Sequence, residues 1–180
     1  ESAGVRVVRI PDEPTLEGVR KKIVAVAGEL HRDEEGARLL QRFDQAVSDL
    51  KALLADGKEP VRGTFLMSRE DGALLAAGKG TAADAMLTLA GAENVTGTHE
   101  GYKPISAEAL LALKPQVIIT GNRTAEALGG VEAMKAHPVV RLTPAGADGR
   151  ILAMDDLFLL GFGPETPQAA LELARWIHQP

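Results

Sequence analysis

The chain has 180 residues, with 20 Lys and Arg against 25 Asp and Glu, a formal net charge of -5 and no cysteine. An acidic chain with no basic stripe is a poor partner for nucleic acid, whose phosphates need neutralising, and the missing cysteines remove disulfides, thiolate nucleophiles and cysteine metal sites together while leaving the compartment open. Apolar residues make up 45% of the chain and aromatics 3%, so the core has to be built from Ala, Leu and Val, and no apolar run reaches the length of a membrane span.

Val5 to Ile10 reads as a strand, the PDEP turn at 11–14 follows, and Thr15 caps a helix through Ile23, Val26, Ala27 and Leu30. A strand with nothing ahead of it to pair with suggests that the start of the fold is missing. Asp33 then caps a longer helix from about Glu34 to Ala55, whose Leu39, Leu40, Phe43, Val47, Leu50 and Leu54 share one face. At 1.5 Å per residue it spans roughly 30 Å, enough to brace two lobes. DGKEP at 56–60 breaks the pattern and is the best domain boundary.

Beyond it the elements alternate. Gly63 to Met67 is a strand, 73–77 a weak one, 82–90 a helix, 107–113 a helix capped by Ser106, and 115–121 (PQVIITG) the clearest buried strand. A helix near 125–136, a strand pair VVRLTP and RILAMDD, and a last helix at 167–178, with Thr166 as N-cap and Pro167 in its first turn, complete the chain. The result is an α/β class fold: a mostly parallel sheet with flanking helices and its ligand at the carboxyl edge.

Gly78-Lys79-Gly80-Thr81 opens the 82–90 helix as G-x-G-x-x-A, one spelling of the dinucleotide fingerprint. Thr81 with Asp84 forms a capping pattern, Gly91 closes the helix, and the amino end is a place for an anion. The fingerprint also needs a strong strand before it and a second one ending in an acid after it. Residues 73–77 have no β-branched residue, the stretch after the helix is rich in turn formers, and G-x-x-x-x-G-K-S/T is absent, so a nucleotide-binding enzyme stays the minor alternative.

No two of His31, His99, His137 and His178 have the spacing of a helical metal pair, and no G-x-S-x-G elbow is present. His31 and His178 suit helix ends and His137 a turn, whereas His99 lies in a turn beside Tyr102 and Lys103. Asp155 and Asp156 are adjacent, so they point apart and suit capping rather than acid-base work. Met67 to Glu70, Gly78 to Thr81, His99 to Lys103 and Gly121 to Thr124, which includes Arg123, converge on one sheet edge. They offer cations at Lys79, Lys103 and Arg123 and a flat ring at Tyr102, a surface suited to a large apolar body with carboxylates. That is binding chemistry rather than turnover.

GKGTAADAMLTLAGAEN, EGYKPISAEALLALKPQVIITG and HPVVRLTPAGADGRILAMDDLFLLGFGPETPQAALELA, in this order, resemble the carboxyl lobe of the haem-binding periplasmic proteins of bacterial haem ABC importers. The resemblance implies a class III fold: residues 1–32 as the remnant of an N-terminal lobe, 33–57 as a long interlobe backbone helix, and 61–180 as the C-terminal ligand-binding lobe. It implies a haem carrier of the periplasm, not an enzyme, delivering its ligand to the permease subunits of an ABC transporter, with a siderophore or cobalamin carrier as the alternative. Most of the first lobe, and with it the principal iron ligand, would lie ahead of Glu1. Tyr102 and Arg123 are expected to face the ligand, with Arg123 or Lys103 on a propionate and Gly78, Lys79, Gly80 and Thr81 on the floor. Met67 and His99 are the iron-ligand candidates in this chain, and Glu132 the candidate permease contact. An unpaired Val5 to Ile10 strand would promote dimerisation or strand exchange.

Overall fold

In the computed structural model, which describes residues 6–55, 59–69 and 72–179, the first helix α1 (Leu16–Glu29) starts where expected, the Thr15 hydroxyl accepting the Gly18 N–H. Helix α2 (Asp33–Leu54) is the long brace, with Phe43, Ala46 and Leu50 buried along one stripe. Arg32 rather than Asp33 holds its N-cap position, without a side-chain bond, and Asp33, Glu34 and Glu35 instead place three acids in the first turn, where the helix dipole favours them.

The sheet contains β1 (Val61–Ser68), β2 (Leu74–Ala77), β3 (Ala92–Asn94), β4 (Tyr102–Pro104), β5 (Val117–Gly121) and β6 (Ile151–Met154). Its order is β4-β2-β1-β5-β6, with β3 beside the first half of β1. The β1·β3, β1·β5 and β5·β6 pairs are parallel, and β1·β2 and β2·β4 antiparallel. Helices α3 (Ala82–Leu89), α4 (Ala107–Leu113), α5 (Asn122–Ala127), α6 (Val131–Ala136), α7 (Pro144–Ala147), α8 (Asp156–Leu160) and α9 (Thr166–Ile177) fill the connections.

Alternation along the strands sends side chains into two cores. Phe65, Ala77 and Ile119 meet α2, α3 and α9, and Val19 and Ile23 of α1 join the same cluster. Leu66, Ala76 and Ile118 meet Leu110 of α4, Met134 of α6 and Ala145 of α7 on the other face. Each fully buried side chain of this size contributes about 1.5–3 kcal/mol relative to its exposed state.

Several expected elements are corrected. Residues 6–10 form no strand, and Val5 lies outside the described residues; Arg6 pairs with Glu29 at 2.7 Å instead. The strand edge invoked for dimerisation is therefore not formed by these residues. VVRLTP is not a strand either, because Thr143 caps α7 with Pro144 in its first turn and the residues before it are turns. The 125–136 helix is two, α5 and α6, separated at Gly129 and Gly130, whose φ values of +92° and +100° leave the helical region. Thr166 is inside α9 rather than capping it, and its hydroxyl donates to the Gly163 carbonyl at 2.8 Å. The boundary residues 56–58 and Glu70 lie outside the described residues.

Candidate functional site

The Gly78 loop is tightly tied to the His99 turn. The Gly78 N–H donates to the Gly101 carbonyl at 2.8 Å, the Lys79 N–H to the His99 carbonyl at 2.7 Å, and the Gly101 N–H back to the Lys79 carbonyl at 3.1 Å. The Gly80 N–H goes to Asp84 Oδ2 at 3.2 Å, while the Thr81 hydroxyl donates to the Gly78 carbonyl and accepts the Asp84 N–H at 3.1 Å. The Gly78, Lys79 and Gly80 N–H groups are thus spent inside the protein, and the Asp84 carboxylate already sits at the amino end of α3. The loop has the fingerprint's glycines, but the donors beside those glycines are engaged and a carboxylate stands where the anion would sit.

The register of the strands decides which candidates share a surface, and it separates the four loops expected at one edge: β2 runs antiparallel to β1, so Gly78–Thr81 and the His99 turn lie level with the first half of β1, while Met67–Arg69 and Gly121–Thr124 lie at its carboxyl end. Tyr102 opposes Ala77, and the same cross-strand row continues through Phe65, Ile119 and Leu152. Its edge is the Tyr102 ring, 38% exposed and packed edge-on against Phe65 with centroids 6.4 Å apart. One row nearer the carboxyl edge stand Pro104, Leu75, Met67, Gly121 and Met154. Leu75, Met67 and Met154 are half-buried, and Leu157 of α8 is exposed close by. A cavity of about 340 Å³ opens at the Met154 end, against Phe158 and Trp176.

Lys103 follows Tyr102 along a strand and so leaves on the opposite face. Lys103 and Tyr102 cannot both meet a ligand lying flat on the Tyr102 face. Arg123, exposed in the first turn of α5, stands beyond the end of β5 and three strands across from Tyr102, about 14 Å laterally at the usual strand spacing. Its N–H donates to Asp156 Oδ2 at 3.1 Å. Asp155 accepts the Phe158 N–H at 2.8 Å as the cap of α8, so both aspartates act in capping and loop bonding, as their adjacency suggested. Among the described residues Lys79, Lys103 and Arg123 make no ion pair.

His99 has its Nδ1 buried and, among the described residues, without a hydrogen-bond partner. It therefore lacks the oriented second bond that normally prepares a metal-ligating imidazole. Met67 is packed partly into the core, with one side toward the carboxyl edge. Glu132, on α6, is exposed and paired with Lys135 at 2.7 Å. Among the described residues no group of three or more His, Cys, Asp or Glu could hold a metal ion. Burial raises the Tyr102 phenol above its ordinary value, and the Thr81 hydroxyl beside it pulls the other way.

Leu75, Met154 and Phe65 complete the Tyr102 surface but were not picked out from the sequence. Their signal, the period of two along a strand, becomes readable only when the register is known.

A family model described as periplasmic binding protein matches residues 1–157. The chain is similar to the periplasmic heme-binding protein BhuT in complex with two hemes, at 40% identity and a TM-score of 0.90 over 98% of this chain and 67% of that one. It is also similar to periplasmic heme-binding protein RhuT from Roseiflexus sp. RS-1 in apo form, at 33% identity and 0.85 over 93% and 64%. Periplasmic heme-binding protein HutB of Vibrio cholerae follows at 29% identity and 0.86 over 99% and 70%. The chain thus spans about two thirds of the length of these structures. No curated protein sequence matches it, and no helix among the described residues is long and apolar enough to cross a membrane.

Proposed function

The chain belongs to the periplasmic binding protein family, and on that premise we propose that it binds haem in the periplasm and passes it, chemically unchanged, to the permease of an ABC importer. The observation that carries this reading is the 40% identity, extending over 98% of the chain, to a protein solved with two hemes. The carboxyl edge supplies what such a ligand requires. Leu75, Met67 and Met154, with the Tyr102 ring in the adjoining row, form an apolar face for a flat hydrophobic body, and each 100 Å² of apolar surface covered contributes about 2.5 kcal/mol.

Arg123 offers the propionates a guanidinium that makes no ion pair among the described residues, where only its backbone N–H is engaged. The Gly78–Thr81 loop contributes shape and the Lys79 charge rather than backbone donors. Met67 is the better placed of the two iron-ligand candidates, because it lies on the Tyr102 face while His99 Nδ1 is buried. Glu132 remains the proposed permease contact, and the division at residues 1–32, 33–57 and 61–180 is part of the same reading.

A haemin titration followed at the Soret band and by quenching of Trp176, the single tryptophan, tests it. Saturable changes in both are expected. A linear, unsaturated response, or saturable binding of cobalamin in preference to haemin, overturns the haem assignment.

A further inference from the structure

Asn94, the last residue of β3, has every hydrogen-bonding position of its amide filled. Nδ2 donates to the Ala77 carbonyl at 2.9 Å and to Asp84 Oδ1 at 2.8 Å, while Oδ1 accepts the Thr96 N–H at 3.2 Å and lies 2.8 Å from the Thr96 hydroxyl. Only one orientation of the amide meets these partners, since two acceptors face the nitrogen and a backbone donor faces the oxygen. The network runs on: Asp84 Oδ2 takes the Gly80 N–H, and the Thr96 hydroxyl lies 2.8 Å from the Ala77 carbonyl and 3.0 Å from the buried Thr64 hydroxyl of β1.

The partners of Asn94 belong to separate elements that meet at the ligand face. Ala77 ends β2 and opposes Tyr102, Gly80 is in the loop, Asp84 is in the first turn of α3, and Thr81 between them lies beside the Tyr102 phenol. We infer that Asn94 is a positioning residue of this face, locking β2, the Gly78 loop and α3 to β3 so that the Tyr102 ring is held against Phe65. Its removal leaves the Ala77 carbonyl and the Asp84 carboxylate each short of a donor in a half-buried place, and they regain partners by moving. Tyr102 moves with them. The inference uses the proposed haem reading only in the second of two readouts.

Tyr102 is the only tyrosine, so its ionisation can be followed alone by phenolate absorbance on folded protein. In N94A the phenol is expected to ionise at lower pH, nearer its ordinary value, and haemin to bind about ten-fold more weakly, as for one lost bond of this kind. N94D sets a carboxylate against Asp84 and weakens haemin binding further, and the D84N/N94D exchange, which re-forms the contact between the two side chains, restores part of that loss. V19A, in the buried core of α1, is the control that lowers Tm without moving either readout. The inference is overturned if N94A lowers Tm while the Tyr102 titration stays at the wild-type value. If the wild-type protein binds no haemin, the function proposed above fails by itself and the Tyr102 titration still decides the role of Asn94.

Discussion

Gly78 lies directly beneath His99: a Cβ built on Gly78 would stand 2.1 Å from the His99 carbonyl oxygen and 2.2 Å from its Nδ1. The first glycine of the loop is therefore required by close approach, whereas the second, Gly80, is required by its φ of +74°. G78A is expected to cost about 1–3 kcal/mol, the usual penalty of overpacking, seen as a lower midpoint in a denaturant melt. The closest clash is with backbone, so adding H99A does not rescue it. A double variant as stable as H99A alone would show that the imidazole, not the carbonyl, sets the limit.

The same backbone bonds work against nucleotide binding at this loop. With the Gly78, Lys79 and Gly80 N–H groups all engaged internally, NAD or NADP at millimolar concentration is expected to leave Tm unchanged in a thermal melt. A concentration-dependent rise of several degrees would mean that the loop opens to release its donors.

How much of this was legible beforehand depended on the range of the forces involved. α1, α3, α4 and β5 are written in local caps and apolar runs, and the sequence reading found them. β3 and β4, three residues each, were read as turn formers because pairing alone makes them strands: Val61 to Gly63 supply the partner for β3, and Leu75 to Ala77 the partner for β4. The Val-Val of VVRLTP failed in the opposite direction, since a β-branched pair yielded to the Thr143–Pro144 helix start just downstream. At the candidate site the four loops do not share one edge, because β2 returns antiparallel to β1 and carries the Gly78 loop to the other end of the sheet. That Tyr102 and Lys103 leave on opposite sides follows from β4 being a strand, which no local pattern announced.

Tyr102 also gives stability a pH dependence. Its phenol is raised by burial, so folding favours the protonated form. The contribution is fully present below the unfolded value, about 10, and is lost as pH rises through the higher folded value. T81V removes the hydroxyl that lowers this value and is expected to move the titration further up. A midpoint that falls in T81V would show that Thr81 acts by burying Tyr102 rather than through its hydroxyl.

Phe43 ties the long helix to the rest of the molecule. It is 3% exposed, sits in the core shared by α2 and α9, and carries the Arg20 guanidinium 5.8 Å above its ring. F43A is expected to cost about 3–5 kcal/mol through lost transfer energy and the cavity left behind, measured by urea denaturation. R20A removes the half-exposed cation from the ring together with its ion pair to Asp44 and is expected to cost about 0.5–2 kcal/mol. Comparable losses in the two variants would mean that the cation, and not the packed ring, holds α2 in place.

Arg123 and Lys103 separate two arrangements of the ligand. If haem lies on the Tyr102 face, its carboxylates reach toward the end of β5, where the Arg123 guanidinium makes no ion pair among the described residues, and away from Lys103, which leaves β4 on the opposite side. R123A is then expected to weaken haemin binding about ten-fold, the effect of losing one charged hydrogen bond, and to flatten its dependence on salt. K103A should change affinity less than two-fold by the same face argument. The reverse ranking in a Soret titration would place the ligand across the sheet edge instead, reached from the α4 side, and would remove Met67 and Leu75 from its surroundings.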